Sequence, residues 1–252
     1  MKLIILKDKT EVAQLLSKII IDIIKVKPNA ILGLATGSSP IETYDLLIAD
    51  AKNNKRDWSK VVTFNLDEYV GLTPDHVKSY RYFMNHQLFN HIKSLNLKNT
   101  YVPKGIGDLD QNVEEYEKLL KEKGPIDLQI LGLGTNGHIA FNEPGTLASS
   151  KTHVVNLTKE TIEANKRFFS KVEDVPTKAV TMGIHTILQA KLIVLIATGT
   201  NKAQAIRELV EGKVSPNYPC TFLQNHDDVT IIIDEEAATL LKPTISKKKK
   251  IT

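Results

Sequence analysis

Apolar residues along the chain form two alternating kinds of segment. Short continuous runs bounded by turn residues predict strands that are buried on both faces of a sheet. Longer segments with apolar residues three and four positions apart predict helices that pack one face against that sheet. The strand candidates are residues 3–6, 30–35, 61–65, 126–131, 192–197 and 229–233, with weaker ones near Tyr101 and at residues 154–157 and 179–182.

Predicted helices separate these strands. The first begins at Thr10, which we expect to be its cap, and ends before Pro28 and Asn29. The others are predicted at residues 41–53, 79–92, 109–122, 159–169, 184–189, 201–211 and 235–241. This alternation indicates an α/β fold: a doubly wound, mostly parallel, Rossmann-like sheet with helices on both faces. Residues 1–242 are predicted to form one domain, and residues 243–252 a basic, disordered tail.

Composition narrows the class of protein. The 252 residues are 42% hydrophobic and 25% charged, with a net charge of +4, which gives little support to nucleic-acid binding. Cys220 is the single cysteine, so no intrachain disulfide is expected; we interpret it as buried and structural in a reducing compartment. Neither a signal peptide nor an apolar run of membrane-spanning length is visible, so we expect a soluble cytoplasmic protein without membrane contacts.

The stretch from residue 131 to residue 144 combines flexible backbone with candidate chemistry. Gly132, Gly134 and Gly137 precede His138, and Glu143 follows five residues later. The glycines fit the G-x-G-x-x-G pattern of dinucleotide-binding loops, but that pattern needs a helix at the glycines and an acidic residue about 20 positions further on. Here a Pro-Gly pair follows Glu143, so the segment is too short for a crossover helix, and no acidic residue lies about 20 positions after the glycines. We therefore favour an active-site loop, with the imidazole as acid–base group.

A second loop has the features of an anion site. Thr36, Gly37, Ser38 and Ser39 follow a buried strand, and Pro40 is expected at the first position of the next helix. Backbone N–H groups, hydroxyl donors and a helix N-terminus together bind anions, although an ordinary capping turn is the alternative. Cationic partners for a phosphate are available elsewhere in the chain, at Arg167 and Lys202.

Two adjacent acids, Asp67 and Glu68, follow a third strand. One of them can serve as a general base, or the pair can cap a helix or form a salt bridge. Because ligands bind beyond the carboxyl ends of strands in open α/β sheets, these loops are expected to converge on one pocket. No spacing of His, Cys and Asp resembles a metal site, and the remaining histidines lack such neighbours and are expected to be structural.

Five motifs in order along the chain resemble the glucosamine-6-phosphate deaminase family. They are Leu-Ala-Thr-Gly-Ser-Ser-Pro from residue 34, Val-Thr-Phe-Asn-Leu-Asp-Glu-Tyr from 62, Gly-His-Ile-Ala-Phe-Asn-Glu-Pro from 137, Ala-Asn-Lys-Arg-Phe-Phe from 164 and Gly-Thr-Asn-Lys-Ala from 199. The resemblance implies conversion of glucosamine 6-phosphate and water to fructose 6-phosphate and ammonia without a cofactor or a metal. A related 6-phosphogluconolactonase and a non-catalytic sugar-phosphate sensor are the alternatives.

The same resemblance assigns roles to residues. His138, supported by Glu143, would open the sugar ring, and Asp67 would move a proton from carbon 2 to carbon 1. The phosphate would lie on Thr36, Gly37, Ser38 and Ser39, with Arg167 and Lys202. Asn136 stands where the best-known members carry an aspartate, so the ring-opening relay is expected to rest on His138 and Glu143.

The resemblance also bears on assembly. Hexameric members bind an allosteric N-acetylated sugar phosphate through basic residues after the central loop and an aromatic residue in a C-terminal extension. The corresponding positions here hold His153 and Val155, and the chain ends in a lysine-rich tail. We therefore expect a monomer or small homo-oligomer with hyperbolic kinetics, and a small sugar phosphate as the partner.

Overall fold

A computed structural model describes residues 1–166, 169–171 and 174–243, and its central feature is a seven-stranded sheet. The strands in spatial order are β1 (Lys2–Leu6), β10 (Val229–Asp234), β9 (Leu192–Ala197), β6 (Leu128–Leu131), β2 (Ile31–Leu34), β3 (Val62–Asn65) and β5 (Thr100–Tyr101). Every neighbouring pair is parallel. All positions of β2 and β6 are buried, as the continuous apolar runs predict.

The strand order reverses between β2 and β6. From β2 the chain adds β3 and β5 on one side, and it then returns to add β6, β9 and β10 on the other. This is the doubly wound topology that the alternation predicts, and its crevice lies beyond the carboxyl ends of β2 and β6.

Helices cover the sheet. The helices are α1 (Lys9–Val26), α2 (Ile41–Asn53), α3 (Tyr80–Gln87), α4 (Leu109–Lys123), α5 (Lys159–Asn165), α6 (Ile184–Ile187) and α7 (Ala203–Glu211), with 3₁₀ turns at Phe89–His91, Leu97–Asn99, Thr200–Lys202 and Pro219–Asn225. The first three helices contact one another in succession. Because the later connections run the opposite way across the sheet, right-handed crossovers place α4 and α7 on the other face. The predicted fold class is confirmed.

A smaller antiparallel sheet accompanies the main one. It consists of β4 (Asp67–Tyr69), β8 (Lys178–Thr181) and β7 (His153–Asn156), in that order. The sequence analysis placed residues 67–69 in a loop at the end of a strand, and that assignment is wrong. Residues 67–69 pair with residues 179–181, more than a hundred positions away, and no local pattern records such a pairing. Beside this sheet Tyr69, Phe141, Leu157 and Ala179 form a separate small core.

Several predicted element ends differ in the structure. Asp8, not Thr10, caps α1, because its carboxylate accepts hydrogen bonds from the N–H groups of Thr10 and Glu11, both at 3.0 Å. Pro40 is the residue before α2 rather than its first residue. The helix α3 ends at Gln87, and the predicted segment continues as the 3₁₀ turn.

The predicted last helix is absent from the described chain. Residues 235–241 form successive turns, and the Asp234 carboxylate fixes the first of them by accepting from Ala237 N at 2.8 Å. The same carboxylate also accepts from Gly199 N, so it joins this turn to the loop after β9. The division into a domain of residues 1–242 and a tail stays a prediction, because the tail beyond Pro243 lies outside the described residues.

Candidate active site

Loops from the carboxyl ends of four strands enclose one cavity of about 910 Å³ at the point where the strand order reverses. Asp67 and His138, which come from separate strand ends, both line this cavity. So do Lys202 and the loop of Thr36, Gly37, Ser38 and Ser39. The predicted convergence of these groups is therefore found, and the volume lies within the range of small-molecule sites.

The short strand β4 separates the two adjacent acids. Successive side chains of a strand point to opposite faces, and Asp67 and Tyr69 accordingly line the cavity while Glu68 does not. Glu68 instead accepts hydrogen bonds from Tyr80 N at 2.8 Å and Arg81 N at 3.0 Å, at the start of α3. The capping interpretation thus applies to Glu68, and the general-base interpretation is left to Asp67.

Burial controls the ionisation of Asp67. Asp67 is 7% exposed. Burial is the main cause, and repulsion by Glu68 the smaller one, that raises the pKa of the Asp67 carboxyl to about 8. A carboxyl group with a pKa near the working pH both takes up and releases a proton readily. The site therefore contains an acid–base group suited to shuttling a proton.

The central loop turns back on itself after β6. Gly134 N donates to His138 O at 2.9 Å, and no helix begins between residues 132 and 143. The dinucleotide interpretation, which needs a helix there, is not supported. A Cβ atom on Gly134 would lie 2.3 Å from the His138 ring. Only a glycine at this position therefore leaves room for the imidazole.

An amide joins the imidazole to a carboxylate. His138 Nδ1 lies 2.8 Å from Asn136 Oδ1, closer than the 3.4 Å to Glu143 Oε2. Asn136 Nδ2 donates to Glu143 Oε2 at 2.8 Å, and His138 N donates to Asn136 Oδ1 at 3.2 Å. The sequence analysis rested the relay on His138 and Glu143, and in the structure the Asn136 amide lies between these two side chains.

These contacts define where the imidazole proton lies. The Glu143 carboxylate only accepts and the His138 N–H only donates, so the amide of Asn136 has one possible orientation. Its Oδ1 faces the ring, and His138 Nδ1 must therefore carry a hydrogen. The lone pair is on Nε2, the nitrogen left to act as a base on a ligand in the cavity.

Glu143 is held as an ionised carboxylate. Burial alone would raise its pKa, but the neighbouring imidazole of His138 and the hydrogen bonds from Thr161 and Asn136 lower the pKa to about 2. Thr161, on α5, donates its hydroxyl hydrogen to Glu143 Oε1. Sequence reasoning missed Thr161, because nothing local relates it to a carboxylate 18 residues earlier.

A tight turn at residues 139–142 sets the direction of the side chains at the end of the central loop. Ala140 has a left-handed φ of 51°, which costs energy for a residue other than glycine. The turn is held by Asn142, whose side chain donates to Ile139 O at 3.0 Å and Met182 O at 2.8 Å. It places Phe141 in the cavity wall and Glu143 behind His138.

Two loops form the end of the cavity that the sequence analysis predicts to bind an anion. Thr36, Gly37, Ser38 and Ser39 precede α2, a helix of 13 residues without a side-chain cap, so its first N–H groups face this loop. Lys202 comes from the turn after β9 and lines the same cavity. Arg167, the other predicted phosphate partner, lies outside the described residues.

Aromatic residues form a wall that sequence reasoning also missed. Tyr69, Tyr80, Phe141 and Phe169 line the cavity, with the Tyr69 and Tyr80 rings 4.7 Å apart and those of Tyr80 and Phe141 6.2 Å apart. Tyr69 directly follows the two acids, and Phe141 lies within the central loop. Their closeness in sequence to the candidate acid–base groups could have indicated that these two aromatic residues line the site. A wall of aromatic rings helps to bury Asp67, and burial is the largest cause of its raised pKa.

The remaining sequence expectations concern groups away from the chemistry. Cys220 is buried behind Gly137, and burial raises the pKa of its thiol to about 12, as expected for a structural cysteine. Within the described residues no cluster of three His, Cys, Asp or Glu side chains suits a metal ion. Across that same part of the chain, no helix has both the length and the apolar character needed to cross a bilayer.

The fold and cavity define an α/β protein with an acid–base site at the switch point of a doubly wound sheet. The chain belongs to the family of glucosamine-6-phosphate isomerases and 6-phosphogluconolactonases, whose model matches residues 8–232.

Similar proteins fall into two groups. A glucosamine-6-phosphate deaminase of Thermoanaerobacter sp. (strain X514) is 52% identical over 242 residues, which cover 96% of this chain and 95% of that protein. One from Clostridium beijerinckii is 50% identical over 243 residues, covering 96% and 100%. A solved monomeric glucosamine-6-phosphate deaminase is 44% identical with a TM-score of 0.93, covering 95% and 100%. A 6-phosphogluconolactonase from Trypanosoma brucei, 20% identical with a TM-score of 0.76 and coverage of 96% and 98%, shares the fold.

Proposed function

We propose that this protein is a glucosamine-6-phosphate deaminase, which converts glucosamine 6-phosphate and water into fructose 6-phosphate and ammonia. The observation that carries the proposal is that Asp67 and His138 line one cavity together with the loop of Thr36, Gly37, Ser38 and Ser39. The deaminase relatives at 50% and 52% identity, matched over nearly their whole length, support the same assignment.

Binding uses the end of the sugar that does not react. The phosphate lies against Thr36, Gly37, Ser38 and Ser39, where the N-terminus of α2 and Lys202 compensate its charge. Arg167 is proposed as a further partner. Fixing the anion at one end holds carbons 1 and 2 between Asp67 and His138, so binding energy supplies the alignment that the reaction needs.

Ring opening is the first chemical step. Nε2 of His138 accepts the proton of the hydroxyl on carbon 1 and returns a proton to the ring oxygen as the bond between that oxygen and carbon 1 breaks. The product is the open-chain aldehyde. The positive charge that the imidazole carries meanwhile is stabilised by Glu143 and by the hydrogen bond from Nδ1 to Asn136.

Proton transfer between the two carbons follows. Ionised Asp67 takes the proton from carbon 2 while the oxygen on carbon 1 takes up a proton from solvent, which gives an enolamine, and the protonated carboxyl then delivers a proton to carbon 1. The resulting iminium ion at carbon 2 adds water, and its bond to nitrogen breaks to release ammonia and a proton, leaving the ketone of fructose 6-phosphate. Proton transfers, the addition of water and the loss of ammonia complete the reaction, so the proposed mechanism uses no cofactor.

The oligomeric state and the cellular location are each proposed from one or two observations. The 44% identical deaminase of known structure is monomeric, which supports a monomer here. A cytoplasmic location is proposed from the phosphorylated substrate and the single buried cysteine.

The direct test incubates purified protein with glucosamine 6-phosphate and measures both ammonia and fructose 6-phosphate. We expect equal amounts of the two products. A parallel assay with 6-phosphogluconolactone distinguishes the lactonase alternative, since lactone hydrolysis without ammonia release would contradict the proposal. In the variant Asp67→Asn, turnover is expected to fall by about a thousandfold while binding of a phosphorylated inhibitor is kept.

A further inference from the structure

The first turn of α5 contacts the acid–base network from outside the catalytic loop. Thr161 is 7% exposed, and its hydroxyl donates to Glu143 Oε1. The other carboxylate oxygen of Glu143 accepts from Asn136 Nδ2 at 2.8 Å and lies 3.4 Å from His138 Nδ1. One oxygen thus reaches α5, and the other reaches the loop that carries the imidazole. A carboxylate held at both oxygens has a single orientation.

Each hydrogen in this series of contacts has a defined direction. Because the pKa of Glu143 is about 2, its carboxylate is ionised at neutral pH and only accepts. The Thr161 hydroxyl therefore donates to Glu143 and accepts from the Thr158 hydroxyl, 3.1 Å away. Thr158 in turn caps α5, since its Oγ1 accepts from Thr161 N at 3.2 Å. The hydrogen bond that orients Glu143 is thus part of the cap of α5.

The contact from α5 is neutral. Lys159 and Glu160, the charged residues of the same turn, are exposed, and among the residues that the structure describes the titratable group in contact with Glu143 is the imidazole of His138. Thr161 therefore acts on Glu143 as an uncharged hydrogen-bond donor. Its main effect on the site is to fix the direction of the carboxylate.

We propose that Thr161 is a positioning residue for ring opening, a role that rests on the proposed function. Its hydroxyl holds Glu143 towards Asn136 and His138, and the same hydrogen bond joins α5 to the catalytic loop. Packing of α5 against the catalytic loop and alignment of the imidazole are therefore coupled. Thr161 acts through Glu143 and needs no contact with the substrate.

The test compares Thr161→Val, which keeps the side-chain shape but removes the donor, with Thr161→Ser, which keeps the donor. In the full-length protein we expect Thr161→Val to lower kcat for ammonia release about tenfold, the usual effect of losing one hydrogen bond to a charged group. KM should stay near the wild-type value, because the lost interaction acts on the reaction step rather than on binding. Thr161→Ser should restore most of kcat.

A binding measurement separates alignment from a loosened α5. The open-chain amino alcohol 2-amino-2-deoxyglucitol 6-phosphate needs no ring opening, so its Kd should be the same for Thr161→Val and wild type. Thr186→Val is the matched control, because the Thr186 hydroxyl donates to Glu117 Oε1 at 2.6 Å and neither residue lines the cavity. We expect wild-type kcat and KM from this control.

Two results would overturn the proposal. One is a raised KM and a weaker inhibitor Kd in Thr161→Val with kcat intact, which would mean that Thr161 only holds α5 in place. The other is a Thr161→Ser variant as slow as Thr161→Val. If the valine variant does not fold, Thr161→Ala enters the same comparison. Lack of ammonia release by the wild type would contradict the proposed function itself, which is a separate result.

Discussion

Asp67 owes its basicity to its surroundings. The carboxylate lies in a cavity with an aromatic wall, and burial together with Glu68 raises its pKa to about 8. In the free protein at neutral pH most of this group is therefore protonated, and the fraction that can accept a proton increases with pH. The residue type supplies the chemistry, and the cavity sets its strength.

The pH dependence of the reaction tests this pKa. Only the ionised form of Asp67 can take a proton from carbon 2, so kcat/KM should increase about tenfold per pH unit below the pKa and level off near about pH 8. The measurement is kcat/KM for glucosamine 6-phosphate between about pH 6 and about pH 9. A profile that is flat across this range would show that Asp67 is already ionised.

Asn136 has two separable hydrogen-bonding functions. Its Oδ1 accepts from His138, and its Nδ2 donates to Glu143. Asn136→Leu removes both and should lower kcat about a hundredfold, because the imidazole loses the acceptor that fixes its tautomer. Asn136→Asp keeps the acceptor and should lower kcat less, by about tenfold. Steady-state kinetics of the two variants provide the measurement, and equal losses in both would contradict this division.

At the scale of elements, the central loop and β4 decide which side chains enter the cavity. The loop returns to Gly134 after His138, so the ring of His138 lies directly against the backbone of Gly134. In β4 the alternation of side chains directs Asp67 inward and Glu68 towards the start of α3. In both motifs the backbone geometry therefore determines which side chains face the cavity.

A methyl group at Gly134 tests the loop. Gly134→Ala should displace the imidazole, because the new Cβ would lie 2.3 Å from the ring, and kcat should fall about a hundredfold. In Gly132→Ala the added Cβ meets no atom within 4 Å, so this variant should keep the His138 position. The imidazole resonances of His138 in NMR spectra, recorded beside kcat, report the displacement. Unchanged resonances in Gly134→Ala would contradict the proposed packing.

For the molecule as a whole, the buried acid links activity to stability. The pKa of Asp67 is raised from 3.8 in a model peptide to about 8 in the folded state, so between these values the folded protein binds a proton that the unfolded chain has lost. Its contribution to stability is complete below about pH 4 and decreases as the pH rises through the folded pKa.

Replacing Asp67 by an uncharged residue should remove the loss of stability at high pH. At about pH 8, Asp67→Asn is expected to have a higher free energy of unfolding than wild type, on the order of a few kcal/mol, while it has lost turnover. At about pH 4 the two proteins should be equally stable, because both side chains are then uncharged. Urea denaturation at the two pH values measures the difference. An advantage that does not depend on pH would contradict this explanation.

Assembly provides the last whole-molecule prediction. We expect light scattering to give the mass of one chain, 28.1 kDa, and initial rates to follow a hyperbola with a Hill coefficient of about one. The prediction rests on the family resemblance, which implies that His153 and Val155, both in β7, replace the basic residues of the allosteric site in hexameric members. A hexamer with sigmoidal kinetics would contradict the prediction.

The sequence by itself determined the elements and the chemical groups of this protein. Continuous apolar runs and helical spacing predicted the strands of a mostly parallel sheet and most helices, because these patterns reflect burial along a single segment. The glycine and hydroxyl loop before α2 and the group of His138 and Glu143 were also visible, since each lies within a few residues.

Only the tertiary structure decided how these groups are used. Pairing of β4 with β8 over more than a hundred residues turned Asp67 inward and Glu68 away. Contact with α5 gave Glu143 a partner outside the catalytic loop, and burial in the cavity raised the pKa of Asp67. Side-chain direction, burial and hydrogen-bond partners depend on segments that are distant in sequence, and no local pattern encodes them.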